Sequence, residues 1–149
     1  MRHTTLILGL SALLASCAPT TTDTSPLKGP LVEGETWSIS GFDQNNDKMD
    51  GRVVIPANPY YYRTDREWSY SSEAARVYFT ESDKHFQVWD TSNPKRLLLC
   101  IVRKPFDPYL RRYDGISVAG SMAEINAVFA KLSGSGTKLI GGNCTVSRL

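Results

Sequence analysis

Residues 76–89 read RVYFTESDKHFQVW, and the alternation in this stretch decides the fold. Val77 and Phe79 stand before the polar run Glu81-Ser82-Asp83-Lys84, and Phe86 and Val88 stand after it. Successive side chains of a strand point to opposite faces, so these four apolar residues line one side of a hairpin whose loop is 81–84. Moving outward, Asn93-Pro94 supplies the next turn. Leu97 to Val102, LLLCIV, is apolar at every position, the mark of a strand covered on both faces. Ile116 and Val118 alternate with Ser117 and Ala119, and Cys144 to Leu149 forms a further run. On the other side, Trp37-Ser38-Ile39-Ser40 alternates, and Arg52-Val53-Val54-Ile55 follows Asp50-Gly51, a pair of the kind that closes hairpins. Strand-like runs at this spacing predict a mainly all-β domain, a small antiparallel barrel or sandwich of about seven to eight strands, with the barrel preferred.

One helix interrupts the strands, just before the last of them. Ser121 precedes Glu124 by three residues, the capping-box spacing in which each side chain satisfies a free backbone N–H. Met122, Ile125, Val128, Phe129 and Leu132 follow at helical spacing, which predicts an amphipathic helix packed on the sheet and ended by Gly134. Residues 133–142, SGSGTKLIGG, read as a loose loop. Its Gly134-Ser135-Gly136-Thr137-Lys138 lacks the spacing and the strand–helix setting of a phosphate loop.

The first residues carry an address. Residues 1–17 read MRHTTLILGLSALLASC: Arg2 is followed by an apolar stretch from Leu6 to Leu14, too short to cross a bilayer core as a helix. Leu14-Ala15-Ser16-Cys17 resembles the lipobox of bacterial lipoproteins. The resemblance implies a signal peptide of residues 1–16, a diacylglyceryl group (and so palmitate) on Cys17, and cleavage before that cysteine. Ala18 stands where an aspartate would signal inner-membrane retention, which favours the outer membrane in a host that has one. A doubly acylated cysteine holds a protein on a membrane without a spanning helix. Residues 17–30 then serve as the lipidated cysteine and its tether, poor in large apolar side chains, and residues 31–149 form a single domain.

Composition excludes more than it identifies. The formal net charge of +2 over 149 residues leaves no basic excess for nucleic acid. Arg103-Lys104 and Arg111-Arg112 read as solvated faces. With Cys17 assigned to lipid, Cys100 and Cys144 remain, and in an exported protein two remaining cysteines pair as a disulfide. His85 is the sole histidine after the signal, so a thiolate metal site lacks its partners, and no metal or cofactor is expected. Asp43, Asn45 and Asp47 have the spacing of calcium ligands, but Lys48 and Val54 occupy positions that the calcium loop gives to glycine and glutamate, so they read as a turn. His85 has no recognisable catalytic setting, and Asn143-Cys144-Thr145 carries no meaning as a sequon in a bacterial chain.

The aromatic stretch Tyr60-Tyr61-Tyr62-Arg63, with Trp68 and Tyr70, is the best functional lead, because aromatics beside an arginine suit sugar or peptide recognition. The outline is similar to the small β-barrel modules that many bacterial lipoproteins carry. Trp37 has a counterpart in lipocalins, but Gly34-Glu35-Thr36-Trp37 is one residue longer than their G-x-W signature. The leading expectation is a non-catalytic interaction or structural module at the envelope, with a membrane, an envelope protein or a glycan as partner. A carrier of a small apolar ligand comes second and a hydrolase third. Cys17→Ser should abolish incorporation of radioactive palmitate, because the sulfur is the attachment atom; unchanged labelling in that variant would end the lipoprotein reading.

Overall fold

The computed structural model describes residues 29–80, 85–133 and 141–149. Cys17, most of the tether, the hairpin loop 81–84 and the loop 134–140 lie outside the described residues. Among the described residues, nine strands and one helix follow in the order β1 (Thr36–Phe42), β2 (Lys48–Val54), β3 (Tyr60–Tyr62), β4 (Glu67–Ser71), β5 (Ala75–Thr80), β6 (Phe86–Asp90), β7 (Leu97–Val102), β8 (Arg112–Gly120), α1 (Met122–Ser133) and β9 (Gly142–Arg148). All nine strands belong to one antiparallel sheet, ordered β2-β1-β9-β8-β7-β6-β5-β4-β3 and curled into a half-barrel. The architecture is therefore a single curled sheet and not a two-sheet sandwich. The count exceeds the expected seven to eight because the aromatic stretch folds as two short strands, β3 and β4.

The hairpin of β5 and β6 pairs Phe79 with Phe86 and Val77 with Val88, and all four side chains are buried on the inner face. β7 is buried at every position, as its composition requires. Leu98, Cys100 and Val102 face the interior, while Leu97, Leu99 and Ile101 lie on the outer face in a second cluster with Trp89, Val118 and Ile125 of α1. The capping box forms: Ser121 N–H donates to Glu124 Oε2 at 2.7 Å and Glu124 N–H donates to Ser121 Oγ at 3.3 Å. Ile125 is fully buried and Val128 and Phe129 are half-buried, whereas Met122, expected on the same apolar face, is exposed.

A group of rings packs together within the interior. Trp37, Tyr70, Phe86 and Tyr113 are almost fully buried, and Phe106, from the loop between β7 and β8, stacks against Trp37 at 6.1 Å and Tyr113 at 6.3 Å between ring centroids. Each such side chain removes a large apolar surface from water, and edge or offset ring contacts add about 0.5–1.5 kcal/mol per pair.

Asp50-Gly51 does not close a hairpin. Gly51 sits inside β2 opposite Ile39, and the chain turns earlier, where the Asp43 carboxylate accepts the N–H groups of Asn45 at 2.8 Å and Asp47 at 2.9 Å. The glycine serves close approach instead: a Cβ there would lie 2.6 Å from Asp90 Oδ2, so its absence lets β2 pack against the inner face of β6.

Cys100 and Cys144 form the expected disulfide, but on β7 and β9, with β8 running between them. Second-neighbour strands of a flat sheet lie about 9.5 Å apart. The two Cα atoms are 5.9 Å apart, so the sheet bends sharply over β8. Gly115, opposite both Cys144 and Val102, permits the bend, since a Cβ there would sit 2.5 Å from the Ile101 carbonyl oxygen and 3.1 Å from Cys100 Sγ. Replacing both cysteines with alanine should cost about 2–5 kcal/mol in denaturant unfolding under oxidising conditions. Equal stability of the variant and the oxidised parent would show that packing alone sets the curl.

Candidate binding face

Strand alternation divides the aromatic lead between two environments. β3 pairs with β4 through Tyr60↔Ser69, Tyr61↔Trp68 and Tyr62↔Glu67. Tyr61, Trp68 and Tyr70 therefore point inward, and Tyr60 and Tyr62 point outward. Tyr70 belongs to the core and not to a binding surface: it is fully buried, its hydroxyl accepts the Leu31 N–H at 3.1 Å, and burial pushes its phenol pKa up. Trp68 is half-buried against the core, 4.8 Å from the ring of Tyr61 and 6.5 Å from that of Tyr70. The exposed members are Tyr60, 62% exposed, Tyr62, 46% exposed, and Arg63 in the turn that follows. The rings of Tyr60 and Tyr62 meet edge to face at 4.5 Å.

The pair continues across the outer face of the sheet. Tyr60 lies beside Ser69, which lies beside Tyr78, which lies beside Gln87; Tyr62 lies beside Glu67, which lies beside Thr80. Glu67, Tyr78, Phe79, Thr80, His85 and Gln87 line a surface pocket of about 40 Å³ among these rows. None of Glu67, Tyr78 or Gln87 was singled out by sequence reasoning. The available signal was their shared parity with Tyr60 and Tyr62, which becomes visible only once the register of β3 and β4 is known. His85 comes together with a carboxylate and two hydroxyl-bearing residues here, a juxtaposition the sequence did not show. The space is small beside the roughly 300–1,000 Å³ that encloses a small-molecule ligand.

β3 itself is a blunt edge. It has three residues and follows Pro59, which has no N–H to offer a neighbouring strand. The face thus presents side chains, with little backbone for strand addition. In chemical terms it offers two aromatic faces, phenol hydroxyls, an amide, a carboxylate and an imidazole on one rigid surface.

The candidate calcium loop is occupied otherwise. Asp43 is buried, and besides the two backbone donors its carboxylate accepts Arg96 Nη2 at 2.9 Å. Asn46 takes the left-handed backbone, φ 66°, that this turn requires. Among the described residues no group of three or more His, Cys, Asp or Glu side chains is placed to hold a metal ion. No helix among them is long and apolar enough to cross a membrane. In comparisons with known proteins, the chain matches no family model, no curated protein and no solved structure.

Burial alone would raise the pKa of Asp43, but the N–H donors of Asp47 and Asn45, with the Arg96 guanidinium, outweigh it and hold the carboxyl below its ordinary 3.8. A carboxylate depressed in the folded state contributes stability that is present above its unfolded pKa and is lost as pH falls through the folded value. Asp43→Asn keeps one acceptor oxygen and removes the charge. It should cost about 1–3 kcal/mol at neutral pH, with the gap to the parent closing below about pH 4. A gap that persists unchanged in acid denaturation curves would remove the charge from this account.

Proposed function

We propose that the chain is a lipid-anchored protein of the bacterial cell envelope, on the outer membrane where the host has one, and that it works by recognition without catalysis. The partner is an envelope protein, held against the outer face of β3 to β6. One observation carries the recognition reading: Tyr60 and Tyr62 stand largely exposed and mutually packed on a short edge strand, in line with the polar rows that lead to the Glu67 and Gln87 pocket. Two large apolar rings left in water by a fold that buries so many others are a poor use of aromatic surface unless something covers them. Interfaces take most of their energy from a few such anchors, with tyrosine prominent among them. The anchor part of the proposal stands on the lipobox resemblance at Leu14 to Cys17.

A hydrolytic reading draws support from a separate observation, the gathering of His85, Glu67, Tyr78 and Thr80 around one pocket. The carrier reading needs inward side chains too small to fill the interior, and Trp37, Tyr70, Phe86 and Tyr113 occupy it instead.

Replacing Tyr60 and Tyr62 together with alanine should weaken capture of the envelope partner by tenfold or more, as expected from losing about 2 kcal/mol at a hot spot. The thermal midpoint should stay nearly unchanged, because both side chains lie outside the core. Retained capture by the double variant sinks the recognition face, and retention on purified envelope polysaccharide with no protein captured would make the partner a glycan. Loss of a measurable hydrolytic activity in His85→Ala would instead favour the enzyme.

A further inference from the structure

The loop between β7 and β8 and the segment leading into β1 meet at one rim of the half-barrel, and Arg148 ties them together. Its Nε donates to Glu35 Oε1 at 2.9 Å, its Nη1 donates to the Pro108 carbonyl, and its backbone N–H donates to the Arg111 carbonyl at 2.8 Å. Glu35 N–H in turn donates to the Val32 carbonyl at 3.2 Å, closing a turn just before β1. The rim so assembled combines two features. Tyr109 is 92% exposed, Val32 59% and Leu110 40%, which makes Tyr109 the most exposed large apolar side chain among the described residues. Arg103, Lys104 and Arg111 are exposed on the same loop. The loop's carboxylate, Asp107, is turned to its own backbone, accepting the Tyr109 N–H at 2.9 Å.

Tyr109 and Leu110, on a loop that carries three exposed cations, suit the boundary between lipid headgroups and acyl chains, where tyrosine is enriched and anionic lipids attract Lys and Arg. The position of Cys17 in the chain also bears on the distance to a membrane. Leu31 is buried just before Val32, Gly29 lies against Tyr70 and Trp68, and Cys17 is twelve positions before Gly29. An extended chain of that length reaches at most about 40 Å, so a lipid on Cys17 keeps the domain close to its membrane.

We propose that this rim, led by Tyr109 with Arg103, Lys104 and Arg111 around it, rests on an anionic lipid surface. The anchored domain is thereby oriented instead of swinging freely on its tether. The proposal rests on the lipid-anchor reading for its tether. It adds a second, weaker contact that distinguishes one end of the domain from the other, because Asn45, in the turn between β1 and β2, lies at the opposite ends of those strands.

The test uses the full chain, made in a bacterium, purified with its lipid and reconstituted into vesicles of phosphatidylcholine alone or mixed with phosphatidylglycerol. An environment-sensitive fluorophore is placed at Tyr109→Cys or, in a second sample, at Asn45→Cys. Emission at position 109 should shift to the blue and be quenched by brominated lipid in the anionic vesicles only, while position 45 keeps its aqueous spectrum. Charge reversal at Arg103, Lys104 and Arg111 should remove the signal at 109 although the protein still floats with the vesicles, and high salt should do the same. An aqueous spectrum at 109 in a floating, palmitate-labelled protein overturns the orientation proposal and leaves the anchor standing. Absence of palmitate from Cys17 overturns the anchor. If unlabelled protein still showed the shift at 109, the rim would stand as a lipid contact in its own right.

Discussion

The bond between Cys100 and Cys144 reaches across a whole strand, and the shape of the domain follows from how that is possible. A flat sheet holds β7 and β9 too far apart for a disulfide, so the sheet must fold over β8, and at the crossing point β8 must offer no side chain. Gly115 meets that demand: the carbonyl of Ile101 and the sulfur of Cys100 occupy the space its Cβ would need. The bend brings β1 and β2 back over the inner face of the strands on the far side, and Gly51 lets β2 settle against Asp90 and Leu98. Two glycines and one bridge therefore convert an open nine-stranded ribbon into a half-barrel with an inside.

Once curled, the sheet has two apolar faces to cover, and β7 is the strand that shows it. Its inward residues join the ring-rich interior, while its outward residues need α1, whose Ile125 closes the outer cluster. The open ends are sealed by polar groups. At one end Gln44 reaches over to β8, donating from Nε2 to the Ala119 carbonyl at 2.7 Å and accepting the Ala119 N–H at 2.9 Å, as a neighbouring strand would. Ser117, fully buried on the inner face, donates to the Phe42 carbonyl there. At the other end the Glu35 carboxylate accepts both Trp37 Nε1 at 2.9 Å and Arg148 Nε, so one carboxylate fixes the tryptophan in the core and the last strand over it. Both partners of this ion pair are largely shielded from water, and it is worth keeping only because each also makes further hydrogen bonds.

Much of this was legible in the residues themselves. Alternation in 76–89 carried the hairpin and its inner face, the unbroken apolar run of β7 carried its double burial, and the Ser121 and Glu124 pair carried the start of the helix. These are local signals, each complete within about a dozen residues. What escaped depends on partners distant in the chain. Asp50-Gly51 has the composition of a turn, and only contact with Asp90 of β6 and Leu98 of β7 explains a glycine in mid-strand. Pairing of the two cysteines followed from counting them, but their placement on next-but-one strands required the curl. The candidate face was half legible: the aromatic run was conspicuous, yet a three-residue strand has too few positions to announce its own alternation. Tyr70 was accordingly grouped with Tyr60 and Tyr62, although its parity sends it into the core.

That parity also sorts the roles that the aromatic stretch can play. Tyr61, Trp68 and Tyr70 hold β3 and β4 to the interior and to the segment entering β1, through contacts among their own rings and with Gly29 and Leu31. They make the platform rigid. Tyr60 and Tyr62 ride on the same three-residue strand but lie outside the core, so they change at small cost to the fold. A surface that binds through rigidly mounted aromatic side chains loses little conformational entropy on association, since such a side chain has two torsions to fix. The two inward tyrosines and the tryptophan are thus a structural condition for the outward pair to act as the proposed anchors. For this reason, substitutions in the two sets should have different consequences, the inner ones on folding and the outer ones on the proposed recognition.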